Sequence, residues 1–313
     1  MKFGASVWPF KWDPPYEEVI PRIAKLGYKA LELIAWDRES LEGYYTPRKV
    51  KELSTIINSE GLELSGFVST SRGMANPDKN ERERAIDYFK KHVEVGKELG
   101  TKIVNTVSDN PFAMKLPILS ILPLLQKFQV DIPSGLDWDR NWQEYVEVIR
   151  RCTAICEDAG MKYALEPHPY CLVPNTAAML RLLEQVKSEA LGINYDVSHL
   201  FPVGDIPHAS VYQLGRNILH THFSDNDGVT NVHWRPGRGK IDWEAVLRAL
   251  NDVGYAGVIS VEIEDAPGVS RGKQQGHGVY KGHKVATEEF DQENILALRY
   301  FKEICTLVGI EME

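Results

Sequence analysis

The 313-residue sequence has no apolar run long enough to cross a bilayer. Its most apolar window, residues 116–128, is about half the roughly 20 residues that a spanning helix needs, and Pro117 and Pro123 interrupt it. The opening stretch, MKFGASVWPFKWDPP, has neither the apolar core nor the small-residue cleavage site of a secretory signal, so a cytoplasmic chain with no membrane partner is expected. Cysteine is scarce. Four residues with no CxxC pair cannot frame a disulfide scaffold of this size, and buried free thiols are expected instead. Positive charge is also short: 36 Lys+Arg stand against 44 Asp+Glu, a formal net charge of −8. Such a chain does not grip a polyanion by charge, and no nucleic-acid partner is expected. Neither GxGxxG nor GxxxxGK[ST] follows the first apolar run, which argues against an open, doubly wound nucleotide-binding sheet.

What is present is an ordinary globule, 43% hydrophobic and 26% charged, able to bury a sizeable core. One pattern recurs: an amphipathic helix, a glycine stop, then a short apolar or β-branched run. The instances are KLGYKALELI, SEGLELSGFV, ELGTKIVNTV, DAGMKYALEP, EALGINYDVS and DVGYAGVISVE. With KFGASVW and NILHTHFSD added, strands are expected at about 2–7, 30–35, 62–68, 102–107, 162–166, 192–196, 218–223 and 257–262. Helices are expected near 16–26, 47–60, 79–99, 141–159, 175–187, 207–215, 242–253 and 289–307. Eight right-handed βα units in one α/β domain spanning 1–313 predict a (β/α)8 TIM barrel. Two stretches break the pattern, an insert after strand four at about 111–141 and a tail loop after strand eight at about 265–288. Loops of that length are read as an interface or lid and as a lid, respectively.

Barrel enzymes place their chemistry at the C-terminal ends of the strands. Strands one to four end in Trp8, Trp36, Ser69 and Asn105, whereas strands five to eight end in YALEPHP, INYDVSH, LHTHFSDND and ISVEIED. Strand alternation puts Glu166, Asp196, His222 and Glu262 on the inward face of four consecutive strands. A single acid at a strand end is usually a cap or an ion-pair partner. Three inward carboxylates and an imidazole with no facing Lys or Arg on these strands call for a cation. The oxygen-rich set favours one divalent ion per chain, Mn²⁺ first, then Mg²⁺ or Co²⁺, with Zn²⁺ possible. His220 lies one layer deeper and reads as structural, and Asp225 reads as the carboxylate that orients the ligating imidazole. Trp8 is either a stacking platform for a ligand or a barrel plug. His168, in EPHP, is either a second base or substrate ligand or an exposed turn residue.

At LEPHPYCLVPNT, YDVSHLFPVGD, HTHFSDND, RPGRGKIDW and GVISVEIED, the chain resembles the sugar isomerase/epimerase superfamily of xylose isomerase-like barrels. The resemblance implies that Glu166, Asp196, His222 and Glu262 hold the metal and that Glu166 and Glu262 also do acid/base work on opposite faces of the substrate. It implies further that His199 polarises a substrate oxygen and that His233 and Arg235 lie over the substrate. The reaction expected is proton abstraction alpha to a carbonyl through an enediolate, on a sugar, keto-sugar or cyclitol. Two departures set the chain apart from free-ketose 3-epimerases: HPYCLVPN lacks a further glutamate, and Arg235 follows the strand-seven histidine only after a long loop. The same apparatus can expel a β-substituent, so a lyase or deglycosidase cleaving a 3-keto glycoside, working with a small partner subunit, is the alternative. A homo-oligomer, dimer or tetramer, is expected otherwise. An apurinic-endonuclease-like repair enzyme is disfavoured, because GFVSTSR and NTVSDN offer no histidines for further zinc ions.

Overall fold

Eight parallel strands close into a barrel in a computed structural model that describes residues 1–70, 72–112, 114–115, 129–270 and 285–312. The strands are β1 (Lys2–Ser6), β2 (Ala30–Ala35), β3 (Glu63–Ser69), β4 (Ile103–Val107), β5 (Lys162–Glu166), β6 (Leu191–Asp196), β7 (Ile218–Phe223) and β8 (Val258–Val261). Each pairs with its neighbour in sequence and β1 closes on β8, as in Lys2↔Val258 and Ala5↔Val261. The register slips by one residue at two places, between Leu31 and Glu32 on the β2–β3 seam and between Ile193 and Asn194 on the β6–β7 seam.

Around the barrel run α1 (Val19–Leu26), α2 (Pro47–Ser59), α3 (Lys79–Leu99), α4 (Trp138–Ala159), α5 (Thr176–Val186), α6 (Pro207–Leu214), α7 (Trp243–Asp252) and α8 (Glu288–Val308). Five of them start at side-chain caps: Thr46, Asp78, Asp137, Asn175 and Asp242 each accept an amide hydrogen from the first turn. The cap at Asp137 starts α4 three residues earlier than hydrophobic periodicity predicts. Helix α1 starts three residues later, because the Tyr16 carbonyl first closes a turn with the amides of Val19 and Ile20. Gly100 and Gly160 end α3 and α4 in the left-handed conformation, φ 93° and 69°, where a side chain is strained.

The helices bury one stripe each against the strands. On α8 this is Phe290, Asn294, Ala297, Leu298, Phe301, Ile304 and Cys305, at helical spacing. Trp243 of α7 sits between Phe223 and Phe301, with ring centroids 4.9 and 5.0 Å away. Burial of each such side chain contributes about 1.5–3 kcal/mol. All four cysteines are free, and Cys171 is half-buried rather than buried like the other three.

Much of the insert and the tail loop lies outside the described residues, including the readings of these stretches as interface or lid. The ends of the insert pair as two antiparallel dipeptides, Met114–Lys115 with Gln129–Val130. The tail is anchored on the loop after β1: the Ser270 and Ala286 amides donate to the carbonyls of Pro9 and Phe10 at 2.8 and 2.7 Å. Among the described residues, no helix is long and apolar enough to cross a membrane.

Candidate metal centre

Alternation along β5, β6 and β7 carries Glu166, Asp196 and His222 into the barrel mouth, and Glu262 follows β8 in phase with Ser260. One donor atom from each of these four buried side chains lies within 4.8 Å of the others. Glu166 Oε2 accepts from Asn105 Nδ2 at 3.2 Å and Asn194 Nδ2 at 3.0 Å. Asp196 Oδ1 accepts the Ser198 amide at 2.7 Å, capping the single helical turn Val197–Leu200. Glu262 Oε1 accepts the Trp8 indole N–H at 2.8 Å. His222 Nδ1 faces Glu262 Oε2 at 3.1 Å and Glu166 Oε2 at 3.5 Å.

Burial pushes the Asp196 and Glu262 carboxyls up to about 8, with nearby Glu166 adding to the rise at Asp196. Burial would also raise Glu166, but His222 and His168 more than reverse this and hold it well below the usual carboxylate range. Three carboxyls in one dry space therefore differ sharply in how readily they ionise.

One wall of the mouth is imidazole. The rings of His168 and His199 are 3.6 Å apart and those of His199 and His233 are 4.7 Å apart. His168 Nε2 and His199 Nε2 each lie 3.5 Å from Glu166 Oε1, and His199 Nε2 is 3.3 Å from Asp196 Oδ2. Desolvation lowers the pKa of all three rings, and at His168 and His233 the neighbouring His199 lowers it further. Hydroxyl hydrogens fix the tautomer of His233. Ser198 Oγ donates to the Ser224 carbonyl at 2.6 Å, so the Ser198–Ser224 hydroxyl contact at 2.8 Å uses the Ser224 hydrogen. Ser224 Oγ must then accept from His233 Nδ1 at 2.9 Å, which leaves His233 Nε2 as a bare acceptor. His199 Nδ1 is likewise satisfied by Asn231 Oδ1 at 2.8 Å.

The opposite wall is aromatic. Trp8 is 3% exposed and meets His222 and Trp36 edge-on, with centroids 5.6 and 6.4 Å away. Trp36 stacks on Trp12 at 4.2 Å.

Two expected residues are placed elsewhere. Arg235 is not brought to the cluster: its Nε donates to Glu293 Oε2 of α8 at 3.0 Å. Asp225 does not orient the imidazole. It accepts from the Gly237 and Ile241 amides and the Trp243 indole at 2.8, 3.2 and 3.0 Å, tying down the loop that carries His233.

With this geometry in view, the sequence match is informative. A family model of xylose isomerase-like TIM barrels matches residues 20–285. The chain belongs to that family. Among its relatives, D-psicose 3-epimerase of Ruminiclostridium cellulolyticum is 23% identical over 269 residues, 84% of this chain and 83% of the relative. Inosose dehydratase of Geobacillus thermodenitrificans is 24% identical over 276 residues, 82% of this chain and 84% of the relative. Among solved structures, D-psicose 3-epimerase with D-tagatose from Clostridium cellulolyticum H10 has a TM-score of 0.73 at 21% identity, over 97% of this chain and 99% of that one. The IolI protein with a bound zinc atom has a TM-score of 0.68 at 21% identity, over 98% of both chains.

The donors of this xylose isomerase-like barrel fit a divalent cation on the chain's own terms. Asp196 Oδ2 and Glu262 Oε2 are buried in the cluster with no hydrogen-bond partner among the described residues. Buried anionic oxygens of this kind are costly unless a cation or a proton neutralises them. Three other polar residues surround the cluster: Asn105, Asn194 and, one layer deeper, Glu32, whose Oε2 lies 2.9 Å from His222 Nε2 and 3.1 Å from His220 Nε2. Sequence reasoning passed over Glu32. The available signal was an acid at an inward position of an otherwise apolar strand, ALELIA.

Proposed function

We propose that this protein is a divalent-metal-dependent isomerase or epimerase of a sugar, keto-sugar or cyclitol. The supporting observation is the four-residue cluster, in which Asp196 Oδ2 and Glu262 Oε2 make no hydrogen bond among the described residues and face the imidazole nitrogens of His199 and His222 at 3.3 and 3.1 Å. Glu166, Asp196, His222 and Glu262 would hold one ion, with Mn²⁺ the first choice for an oxygen-rich set that includes one nitrogen. When bound, such an ion supplies Lewis-acid stabilisation of the negative charge that develops when a proton leaves the carbon beside a carbonyl.

The rest is the work of the side chains. Glu166 and Glu262 stand on β5 and just past β8, and either can take the α-proton while the other returns one. Return to the opposite face of the same carbon inverts it. Return to the neighbouring carbon exchanges aldose and ketose. In the metal-free protein Glu166 favours its ionised form and Glu262 its protonated form, and binding of a cation would release the Glu262 proton and leave both carboxylates able to accept one. His199 and His233 present acceptor nitrogens that suit substrate hydroxyl hydrogens, and Trp8 shields Glu262 while donating to it. Expulsion of a β-substituent by the same proton abstraction is the second reading, favoured by the similarity to an inosose dehydratase.

The test is deuterium exchange. The Mn²⁺-loaded protein is incubated in D₂O with free ketoses, 3-keto glucosides and inososes, and products are followed by mass spectrometry and NMR. Deuterium at the carbon alpha to the carbonyl, with an epimer or isomer as product, is expected. Loss of water or aglycone moves the assignment to the lyase reading. No exchange into any of these substrates by protein shown to hold Mn²⁺ rules out the enolisation chemistry.

A further inference from the structure

We propose that Glu32 of β2 is the positioning residue that fixes the metal-binding tautomer of His222. This rests on the metal-centred reading above and assigns a task to the half of the barrel that provides none of the four donors. An ionised carboxylate only accepts, so the 2.9 Å contact of Glu32 Oε2 with His222 Nε2 places a hydrogen on Nε2. Once a cation displaces the second ring proton, Nε2 keeps its hydrogen and the lone pair lies on Nδ1, the atom that faces Glu166 and Glu262 and lies 3.1 Å from Asn194 Nδ2. Without Glu32 only the Asn194 amide nitrogen beside Nδ1 still opposes transfer of the hydrogen to Nδ1, where the ring would present the wrong atom to the cluster.

The backbone is shaped around this one carboxylate. Pairing of β2 with β3 runs Leu31↔Leu64 and then jumps to Glu32↔Gly66, a bulge of the kind that re-aims a side chain. Gly66 leaves room for it, since a Cβ there would stand 3.3 Å from Glu32 Oε2. The second slip, from Ile193↔Ile218 to Asn194↔His220, lies beside His220, whose Nε2 is 3.1 Å from the same oxygen. Glu32 Oε1 accepts from Ser6 Oγ at 3.4 Å and from Ser260 Oγ. Glu32 is 0% exposed in a strand that is otherwise apolar, and an aliphatic residue would serve packing better if packing were its only task.

The experiment measures Mn²⁺ affinity by competition with a fluorescent chelator at fixed pH. Wild type is compared with Glu32→Gln, Glu32→Ala and Glu262→Ala, with thermal melts of each metal-free protein. Glu32→Ala is expected to weaken Mn²⁺ binding by roughly 10–100-fold. Glu32→Gln, which keeps an acceptor but no longer dictates the tautomer, should weaken it by about tenfold. Wild-type affinity in both Glu32 variants, with binding lost in Glu262→Ala, overturns the inference and leaves the metal centre standing. Equal binding by wild type and Glu262→Ala sinks the metal centre itself. Should Glu32→Ala fail to fold, ¹⁵N-histidine spectra of wild type and Glu32→Gln decide the matter. In the metal-free proteins, at a pH high enough to make the ring neutral, a pure Nε2–H tautomer at His222 that becomes mixed in the variant supports the assignment, and an unchanged tautomer rejects it.

Discussion

Strands β5 to β8 each bring one donor to the cluster, whereas β1 to β4 bring none. Three of those four donors are nevertheless held from the other half: Glu262 by Trp8 after β1, His222 by Glu32 on β2, and Glu166 by Asn105 on β4. One half therefore supplies the ligating donors and the other much of their orientation, with Asn194 of β6 also holding Glu166. Closure of the barrel is what lets them meet, since Trp8 and Glu262 are 254 residues apart in sequence and 2.8 Å apart in space. An acid at a strand end is a weak ligand until something stops its carboxylate from rotating, and hydrogen-bond donors fixed on other strands do that.

The largest effects are expected in the half that carries the ligating donors. Glu262→Gln and Glu166→Gln, assayed at saturating Mn²⁺, are each expected to lower kcat by about 10²–10⁴-fold, the usual contribution of a positioned acid or base. A loss confined to metal affinity, with kcat restored by excess Mn²⁺, would leave these residues as ligands and remove them from proton transfer.

The pH dependence of metal binding tests the same half. Asp196 and Glu262, raised to about 8, hold protons at pH 6–7 in the metal-free protein and must release them to bind a cation. Affinity should rise with pH by about tenfold per unit for each proton displaced, and His222, which burial would lower but the facing Glu32, Glu262 and Glu166 hold protonated above its usual range, extends the rise beyond the carboxyls. Calorimetry at pH 7 in buffers of different ionisation enthalpy should report net proton release, and the carboxyl share of it should fade as the pH passes 8. No release at pH 7 would mean that these carboxyls are ionised before the metal arrives.

A smaller effect is expected from the orienting half. Trp8→Phe keeps the aromatic bulk and deletes the donor to Glu262, and Asn105→Ala deletes one donor to Glu166. Loss of a hydrogen bond to a charged group costs about 1.5–3 kcal/mol, so Mn²⁺ affinity should fall by roughly 10–100-fold in each. Wild-type affinity in both variants would mean that the carboxylates are held well enough by their own half.

The ligating half was legible in the sequence and the orienting half largely was not, for a physical reason. Glu166, Asp196, His222 and Glu262 show themselves through strand parity and their place just before a loop, both local properties of the chain. The eight strands were legible in the same way, through helix stops and short apolar runs. Glu32 depends on a register slip, which no local pattern records, and its partner His222 lies 190 residues away. Asp225 misleads for the converse reason. It lies three residues past His222, where sequence proximity suggests contact, but the chain has already left the strand and the side chain serves the loop. Asn105 was visible only as the end of a strand, because its task is set by the neighbouring β5 rather than by its own segment.

Arg235 gives the smallest expected effect and tests the boundary of the site. The loop after β7 returns to the barrel through the backbone pairing of Asp225 with Trp234, and Asp225 then takes the amides of Gly237 and Ile241. Between those fixed points the chain turns Arg235 outward to Glu293, a pair with 21% and 16% of its side-chain surfaces exposed, while His233 two residues earlier turns inward to Ser224. Arg235→Ala should therefore leave kcat/KM unchanged within error and cost no more than about 1 kcal/mol of stability, in keeping with a partly solvated ion pair. His233→Ala in the same loop should lower kcat/KM, because it removes an acceptor from the imidazole wall. If Arg235→Ala proves the more damaging of the two for kcat/KM, with its melting temperature preserved, the guanidinium reaches the substrate and the loop must open at Glu293 to let it.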